Sequence, residues 1–181
     1  DPCMYVKRDD KGGVMILGVY VDDIILAHKN VDLNVFIDQF CGKDGFNSKH
    51  LGRLSWFLGM SIDQHEDSSV HINQEQYVKK LVEKFLGKKV EKRCQPHKPL
   101  PFQRLKPASE DIEREKASRL PYLQLIGSLL YLSCMTRPDI AYNMAVLCSM
   151  MHDPTVDAYE AALDVLRFVA STPHTHPTSP A

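Results

Sequence analysis

The chain has 181 residues and a mass near 20.6 kDa, with 44% hydrophobic residues, 25% charged residues and a formal net charge of −1. This is ordinary globular composition, so it excludes a wholly disordered chain, a collagen and a coiled-coil rod. No apolar run approaches the roughly 20 residues of a membrane-spanning helix, and no secretory signal is visible. The chain starts with Asp1 and reaches a core-like strand soon after, so we expect a piece of a longer protein.

Charge is distributed unevenly along this nearly neutral chain. Residues 79–106 hold 10 basic and 2 acidic side chains, whereas the segments before and after them are net acidic. A block with a balance of +8 over 28 residues suits a polyanionic partner. It equally suits a solvated helix face followed by a flexible lysine-rich linker. Charge alone leaves both interpretations open.

The cysteines indicate a reducing environment. There are five of them, widely spaced along the sequence, and no Cys-x-x-Cys pair occurs. An odd number at such spacings argues against a disulfide framework and against a zinc ribbon. Together with the missing signal pattern, this predicts an intracellular protein.

The first part of the chain is predicted to mix strands and helix. Strands are expected at Cys3–Lys7, Val14–Val21 and Ile24–Ala27. The second strand is almost continuously apolar, so we expect both of its faces to be covered. Asp32 is predicted to cap a helix, because apolar residues follow it at i, i+3, i+4 and i+7. These residues are Leu33, Phe36, Ile37 and Phe40.

The middle of the chain contains a second β segment and a basic helix. Trp56–Ile62 and Val70–Ile72 are predicted to pair as a hairpin around the polar stretch 64–69. Gln74–Phe85 is predicted to be an amphipathic helix, and the lysine- and proline-rich residues 87–107 are predicted to be a linker.

After this linker the pattern is helical throughout. Thr136 is predicted to cap one of the helices, with Asp139 three residues on. The sequence therefore predicts an α+β protein whose last part is a small helical unit. The expected helices are Ser109–Ser118, Tyr122–Cys134, Asp139–Met151 and Asp157–Ser171.

Two adjacent acids, Asp22 and Asp23, stand between two apolar strands in the position of a tight hairpin turn. Neighbouring carboxylates repel each other and are costly to bury, so a core hairpin that presents two of them calls for a cation. Mg²⁺ suits them, because it binds carboxylate oxygen and keeps positions for substrate phosphates. The simpler interpretation is an exposed turn, in which Asp is a favoured residue.

The residues around these acids carry a resemblance. Tyr20-Val21-Asp22-Asp23 resembles the Tyr-x-Asp-Asp box of reverse transcriptases. Further matching runs follow in the family's order, and together they cover about residues 1 to 171. The chain therefore resembles the reverse transcriptase of copia-type retrotransposons, encoded in a pol polyprotein. The further runs are Phe46-Asn47-Ser48-Lys49-His50-Leu51-Gly52 with Trp56–Met60, Gln74–Val78, Pro121-Tyr122 with Ile126–Leu132, and Thr136–Ala141.

The resemblance implies a domain arrangement. The chain looks like the second half of a polymerase palm, an antiparallel sheet with helices, followed by thumb and connection regions. Residues 1–73 would be the partial palm with its primer-grip hairpin, and 74–107 the thumb helix and basic linker. Residues 108–171 would be the helical connection region, and 172–181 a disordered tail.

The resemblance also implies roles for single residues. In the family, a two-metal mechanism adds a dNTP to a primer 3′-OH, with Mg²⁺ or Mn²⁺ as cofactor. Asp22 matches a metal ligand, with Asp23 beside it, and Lys49 falls where polymerases carry a lysine for the leaving pyrophosphate. Tyr20 and Val21 would lie against the template–primer.

Two further groups are implied to bind nucleic acid. A primer-grip hairpin would hold the primer strand, although core packing explains its side chains equally well. Lysines on the thumb helix would follow the phosphate backbone of the RNA/DNA hybrid without reading bases. The grip residues are Trp56, Leu58, Gly59 and Met60, and the lysines are Lys79, Lys80 and Lys84, with Lys88 and Lys89 just after.

The chain also departs from the family pattern. The third catalytic Asp, the fingers and their dNTP-binding residues lie upstream in the family, and nothing downstream resembles a complete RNase H domain. We therefore expect this chain alone not to polymerise. The resemblance implies that it works with the upstream fingers and palm and the downstream RNase H of a parent polyprotein. It also implies an intracellular location, in a cytoplasmic particle or the nucleus, with no membrane partner.

Two other functions stay open at this point. The chain could be a non-catalytic, nucleic-acid-binding or co-opted remnant of a mobile element, which keeps the basic residues and lacks the chemistry. Alternatively, residues 109–171 could act as a helical interaction module beside a degenerate β part. The longer reading frame would separate the first of these from an enzyme, and limited proteolysis within 87–107 would test the second.

Overall fold

The structure is a computed structural model, which describes residues 1–42, 45–67, 69–87 and 111–172. Helices occur together with two small antiparallel sheets, which confirms the α+β class. Contacts divide the chain into two compact units, Asp1–Leu54 and Ser55–Ala181. Apart from Gly87, the predicted linker lies outside the described residues, and so does the predicted disordered tail apart from Thr172.

The first unit is a three-stranded sheet with one helix. Its three strands pair antiparallel, in the order in which they occur along the chain. As predicted, Asp32 caps the helix, because its carboxylate accepts a hydrogen bond from the backbone N–H of Asn34 at 3.0 Å. Phe36 of the helix and Met15 of the central strand line the same pocket, and Met15 is buried. The elements are β1 (Met4–Arg8), β2 (Val14–Tyr20), β3 (Asp23–Lys29) and α1 (Leu33–Cys41).

The prediction that both faces of β2 are covered is wrong for the described residues. Ile16 is 37% exposed, and Met4, Tyr5 and Val6 on the neighbouring edge strand are 50% to 59% exposed. The physical reason is the size of α1, which has only nine residues and shields the sheet around Met15. A continuous apolar run indicates that a strand can be buried on both faces, but it does not show which part of a protein covers those faces.

The second unit begins with a smaller sheet of strands β4 (Trp56–Phe57), β5 (Met60–Gln64) and β6 (Val70–Asn73), paired antiparallel in that order. The expected hairpin around residues 64–69 is present, since Gln64 pairs with Val70. The single strand predicted for Trp56–Ile62 is instead two strands. Leu58 and Gly59, with φ of 48° and 79°, form a tight turn between them. Positive φ at both loop residues is the pattern of a type I′ hairpin turn.

Helices form the main core of the second unit. Glu75–Phe85, with Gln74 in the cap position, confirms the predicted amphipathic helix. Leu125, Ile126, Leu129 and Leu132 of the helix Tyr122–Met135 have no exposed surface. They pack in one core with the helices Glu75–Phe85, Ala141–Cys148 and Val156–Ser171. No helix in the described ranges is long and apolar enough to cross a membrane. The helices are α2 (Glu75–Phe85), α3 (Asp111–Ser118), α4 (Tyr122–Met135), a 3₁₀ turn (Pro138–Ile140), α5 (Ala141–Cys148) and α6 (Val156–Ser171).

The predicted helix cap at Thr136 is wrong. Thr136 ends α4, and its buried hydroxyl donates a hydrogen bond to Oε1 of Gln74 at 2.8 Å. A helix does start nearby, since Asp139 lies in the first turn of the 3₁₀ helix Pro138–Ile140, where its carboxylate binds the Arg137 side chain. The Ser/Thr-x-x-Asp spacing predicts a cap from local residues only. Here a buried amide 62 positions earlier in the chain takes the hydroxyl instead.

Tyr122 supplies a pH-dependent part of the core's stability. It is 1% exposed, and its hydroxyl donates to the Leu147 carbonyl at 2.7 Å. Burial, with a smaller contribution from Cys148, raises the pKa of the Tyr122 phenol well above its usual value of 10. The contribution is therefore complete below pH 10, where the unfolded phenol is still neutral, and it falls as pH rises further.

We expect the free energy of unfolding to fall above pH 10 with a Tyr122 component of about 1.4 kcal/mol per pH unit. Tyr122→Phe removes this component, so its stability should depend less steeply on pH. Urea unfolding at pH 9, 10 and 11 measures both slopes. Tyr159, whose pKa burial also raises, is present in both proteins and cancels in the comparison. Equal slopes would contradict the assignment.

Candidate active site

The β2–β3 hairpin carries the two predicted metal-binding acids at its tip. Tyr20 pairs with Asp23 across the hairpin, so the two loop residues are Val21 and Asp22. The expectation that Asp22 and Asp23 together form the turn was wrong by one residue, because strand pairing continues up to Tyr20 and Asp23. The two acids therefore have different backbone settings, one in the loop and one at the start of β3.

The loop has an unusual backbone. Val21 has a φ of 56°, in the left-handed region that β-branched residues rarely adopt. Of the two loop residues only the first has a positive φ, as in a type II′ hairpin turn, which normally places glycine there. Holding a non-glycine residue in this region costs about 1 kcal/mol or more. The tip is thus a locally strained turn that the flanking strands hold in place.

The tip is accessible and chemically suited to a hard cation. Val21 is 86% exposed and Tyr20 57% exposed, and both Asp22 and Asp23 are exposed. Within the described ranges neither carboxylate accepts a hydrogen bond or forms an ion pair. Carboxylates free of protein partners can offer oxygens to Mg²⁺, which retains water and substrate phosphate as its other ligands. The two acids thus fit part of a metal site.

Among the described residues, Asp22 and Asp23 have no further metal-binding side chain grouped with them. The described residues contain no group of three or more His, Cys, Asp or Glu side chains that could hold a metal ion. The family's third acid, which is expected upstream, stays a prediction.

Lys49 lies in the same unit as the acids, in an irregular segment after α1. This segment folds back on the helix, because the Phe46 N–H donates to the Phe40 carbonyl at 2.8 Å and the two rings lie 4.8 Å apart between centroids. Lys49 is exposed and forms no ion pair with Asp22 or Asp23 among the described residues. Its role at the pyrophosphate stays a prediction.

The predicted grip residues occupy the β4–β5 hairpin in the second unit. Leu58 and Gly59 form the turn, and Trp56 and Met60 flank it on the two strands. Trp56 is 49% exposed, whereas Leu58, Gly59 and Met60 are partly buried. The partly buried residues agree with the interpretation as core packing. The exposed ring of Trp56 is free to contact a primer strand, and its role in a primer grip stays a prediction.

The predicted thumb lysines lie on the solvent side of α2. Lys79, Lys80 and Lys84 are exposed, while Leu81 is 5% exposed and Val82 packs against the helical core. Lys84 lies 5.0 Å above the centroid of the Phe85 ring. The further predicted lysines, Lys88 and Lys89, lie outside the described residues. The three described lysines share the exposed side of the helix with Glu83.

Three further residues make long-range contacts that the sequence motifs do not indicate. The Tyr131 hydroxyl donates to the Leu58 carbonyl, at the turn of the grip hairpin. Arg137 is buried and holds the end of α6, and Gln74 receives the Thr136 hydroxyl. Local sequence patterns could not indicate these contacts, because each partner is distant in the sequence. The one signal for these residues is that they lie within the runs that match the family.

Comparison with known proteins now gives the class of this molecule. Residues 1–97, which include the acidic hairpin tip, match the family described as reverse transcriptase (RNA-dependent DNA polymerase). The match covers more than half of the chain, and the chain therefore belongs to the reverse transcriptase family. Its relatives include Pol polyproteins of copia-type transposons, which confirms the resemblance seen in the sequence.

Three relatives show how far the similarity extends. The chain is 31% identical, over 95% of its length, to the retrovirus-related Pol polyprotein from transposon TNT 1-94 of Nicotiana tabacum, and it spans 13% of that protein. It is 34% identical to an uncharacterized mitochondrial protein of Arabidopsis thaliana, over 87% of the chain and 62% of the relative. It is 29% identical to the Pol polyprotein from transposon RE1 of Arabidopsis thaliana, over 96% of the chain and 11% of the relative. No solved structure matches the chain.

Proposed function

We propose that this chain is the part of a copia-type RNA-dependent DNA polymerase that carries two of its catalytic acids. The observation that carries the proposal is the exposed Tyr20–Asp23 hairpin tip within the residues that match the reverse transcriptase family. Residues 1–73 then form part of the palm, 74–107 the thumb helix and basic linker, and 108–171 the connection region. The substrates are an RNA or DNA template–primer and a dNTP.

The residues of the tip have distinct tasks in this proposal. Asp22 and Asp23 bind a divalent cation, Mg²⁺ or Mn²⁺, and their exposure leaves room for water and phosphate oxygens. When bound, such cations stabilise the attacking 3′-oxygen and the leaving pyrophosphate oxygen of nucleotidyl transfer. Tyr20 and Val21 offer exposed apolar surface to the template–primer beside the acids, and Lys49 neutralises charge on the pyrophosphate.

The second unit holds the nucleic acid in this proposal. The ring of Trp56, about half exposed, contacts the primer strand, and the turn at Leu58 and Gly59 with Met60 supports it. The exposed lysines of α2 neutralise backbone phosphates without reading bases. Because two acids cannot hold two divalent ions well, we propose that the chain alone does not extend a primer. It requires the upstream fingers and palm of a Pol polyprotein.

Binding of Mn²⁺ to the full chain tests the metal site without requiring polymerase activity. Mn²⁺ is paramagnetic, so site-specific binding should broaden the amide NMR signals around Val21–Ile24 before those of the rest of the protein. We expect Asp22→Asn and Asp23→Asn each to weaken this broadening at least about tenfold in Mn²⁺ concentration, because each removes one of only two carboxylates.

A second acidic turn in the same sheet provides the matched control. Asp9 and Asp10 lie between β1 and β2, where the Asp9 carboxylate already accepts the N–H groups of Lys11 and Gly13. Asp10→Asn should leave the broadening at the β2–β3 tip unchanged. Equal broadening at both turns, or broadening that Asp22→Asn does not affect, would remove the basis of the proposal. Hybrid binding without a specific Mn²⁺ site would favour the non-catalytic remnant.

The α2 lysines should contribute a measurable part of the salt dependence of nucleic-acid binding. Each neutralised phosphate adds about 0.7–0.9 to the slope of log affinity against log salt. Replacing Lys79, Lys80 and Lys84 by Gln is therefore expected to reduce that slope by about 2 for an RNA/DNA hybrid. Fluorescence anisotropy with a labelled hybrid between 50 and 300 mM KCl measures the change.

The control for this experiment removes the same number of positive charges elsewhere in the same unit. Arg114, Lys116 and Arg119 are exposed on or just after α3, and their triple replacement by Gln should change the slope by less than about 0.5. If both triple variants reduced the slope equally, binding would depend on net charge, and α2 would not be the phosphate-binding surface.

A further inference from the structure

The β4–β5 hairpin combines a strained turn with a short pair of strands. Its two-residue turn places Leu58, a residue with a branched side chain, in the left-handed region at a φ of 48°. Turns of this type prefer Asn or Gly at that position. Such a strained residue persists only where the surrounding structure holds it in place. The strand pairing beside the turn is short, because β4 has two residues and one further hydrogen bond joins the Ile62 N–H to the Ser55 carbonyl at 2.9 Å.

Tyr131 on α4 makes a contact with this turn. Its hydroxyl donates a hydrogen bond to the backbone carbonyl of Leu58, 73 positions earlier in the chain. A Cβ atom built on Gly59 would lie 3.9 Å from the same hydroxyl, so the tyrosine tip lies close against the turn. The ring is itself held by an edge-to-face contact with Tyr77 of α2, at 5.4 Å between centroids.

The end of α4 makes a second contact with the same part of the chain. The Thr136 hydroxyl donates to Oε1 of Gln74, the residue that precedes α2, and both side chains are 2% exposed. One helix therefore binds the turn of the grip hairpin through Tyr131 and the start of the lysine-bearing helix through Thr136. This ties the hairpin and α2 to a common support.

We propose that Tyr131 is a positioning residue that fixes the grip hairpin for contact with the primer strand. Through the Leu58 carbonyl it determines how the turn lies and, with it, where the exposed ring of Trp56 stands. The inference rests on the proposed function for the role of the hairpin in primer binding. The positioning itself concerns the protein without nucleic acid and is measured separately.

Tyr131→Phe tests the positioning in the full chain without ligand. It removes the hydroxyl and keeps the ring, so the contact with Tyr77 remains. We expect the amides of Gly59 and Met60 to exchange about 5–10-fold faster with solvent, because the turn loses its anchor. Trp56 is the only tryptophan of the chain, so its acrylamide quenching and emission should also change.

Tyr122→Phe is the matched control. Tyr122 also lies on α4 and also donates to a backbone carbonyl, that of Leu147, but this bond joins α4 to α5. Each variant loses a tyrosine hydrogen bond to a backbone carbonyl. The control should leave the exchange of Gly59 and Met60 and the emission of Trp56 unchanged. If both variants altered the hairpin equally, Tyr131 would act only through overall stability and the proposal would be wrong.

Titration with an RNA/DNA hybrid then tests the consequence for binding. Tyr131→Phe should weaken hybrid affinity about 3–10-fold, while Tyr122→Phe should leave it within about twofold. Faster exchange at the turn with unchanged hybrid affinity would show that the hairpin is not a primer contact, which overturns the proposed role of the grip. Unchanged exchange and unchanged Trp56 emission would overturn the positioning role, whatever the affinity.

Discussion

A polymerase built on this chain is expected to lose at least about a thousandfold in kcat when Asp22 is replaced by Asn. Asn has nearly the same shape but lacks the charge that binds a divalent cation, and stabilisation of the reacting oxygens by such cations is worth several kcal/mol. Each 1.36 kcal/mol is a factor of ten in rate. Asp23→Asn should be less severe, because Asp23 lies at the start of β3 beside the loop that holds Asp22.

The measurement is primer extension by a chimaera in which the upstream part of the tobacco Pol polyprotein precedes this chain. Asp10→Asn, at the other acidic turn of the sheet, is the control and should keep activity within about twofold. Unreduced extension by the Asp22→Asn chimaera would exclude the hairpin tip as the metal-binding element. The chain by itself should give no product, and product that depended on Asp22 would show that two acids suffice.

Arg137→Ala should lower the free energy of unfolding by about 3 kcal/mol. Arg137 is 4% exposed and pairs with both oxygens of Asp139, at 2.9 and 2.8 Å. It also donates to the carbonyls of Val169 and Thr172 at the end of α6, at 3.2 and 3.0 Å. The guanidinium thus satisfies carbonyls at the negative end of the helix dipole.

The size of the destabilisation by Arg137→Ala depends on how far Asp139 stays buried once its partner is removed. Breaking a buried ion pair costs about 3–5 kcal/mol when a charge is left without a partner. Here the Asp139 side chain is 36% exposed and can be rehydrated, which places the cost at the lower end. Arg137→Lys should fall between wild type and Ala, because it keeps the charge but loses the planar, two-pronged contact.

Denaturant unfolding of the full chain measures the effect, with Arg167→Ala as the control on the same helix. Arg167 forms an exposed pair with Asp164, and such pairs contribute at most about 1 kcal/mol. A loss of less than about 1 kcal/mol for Arg137→Ala would mean that the buried network is not a main support of the helical unit. Equal losses of stability for Arg137→Ala and Arg167→Ala would also mean that the buried network is not a main support of the helical unit.

The parts of the fold that depend on local periodicity could be predicted. The apolar spacing after Asp32 and the amphipathic pattern from Gln74 to Phe85 each predicted the correct helix, since each helix has one apolar side, which is partly buried in α1 and includes the buried Leu81 in α2. The β4–β5 turn could not, because Leu58-Gly59 lacks the usual Asn-Gly or Asp-Gly signal. Its formation depends on packing and on Tyr131 from a distant helix.

The candidate site was predictable in a different way. Periodicity indicated only a turn with two acids, and the family resemblance selected Asp22 and Asp23 as a metal site. The register error of one residue arose because a turn cannot be placed from composition when its first residue is Val21, which ordinarily favours a strand. The role of Arg137 and the role of Thr136 could not be predicted for the same reason. Each side chain forms a hydrogen bond with a residue that is distant in the sequence.

The left-handed backbone at Val21 has a consequence for how this turn can vary. Glycine would adopt the same φ without steric cost, so the side chain at this position is kept at the expense of folding stability. Because the side chain is 86% exposed, burial gives almost nothing back. Folding stability therefore favours glycine at this position, whereas the proposed contact with the template–primer needs a side chain there, an opposition that is common at functional sites.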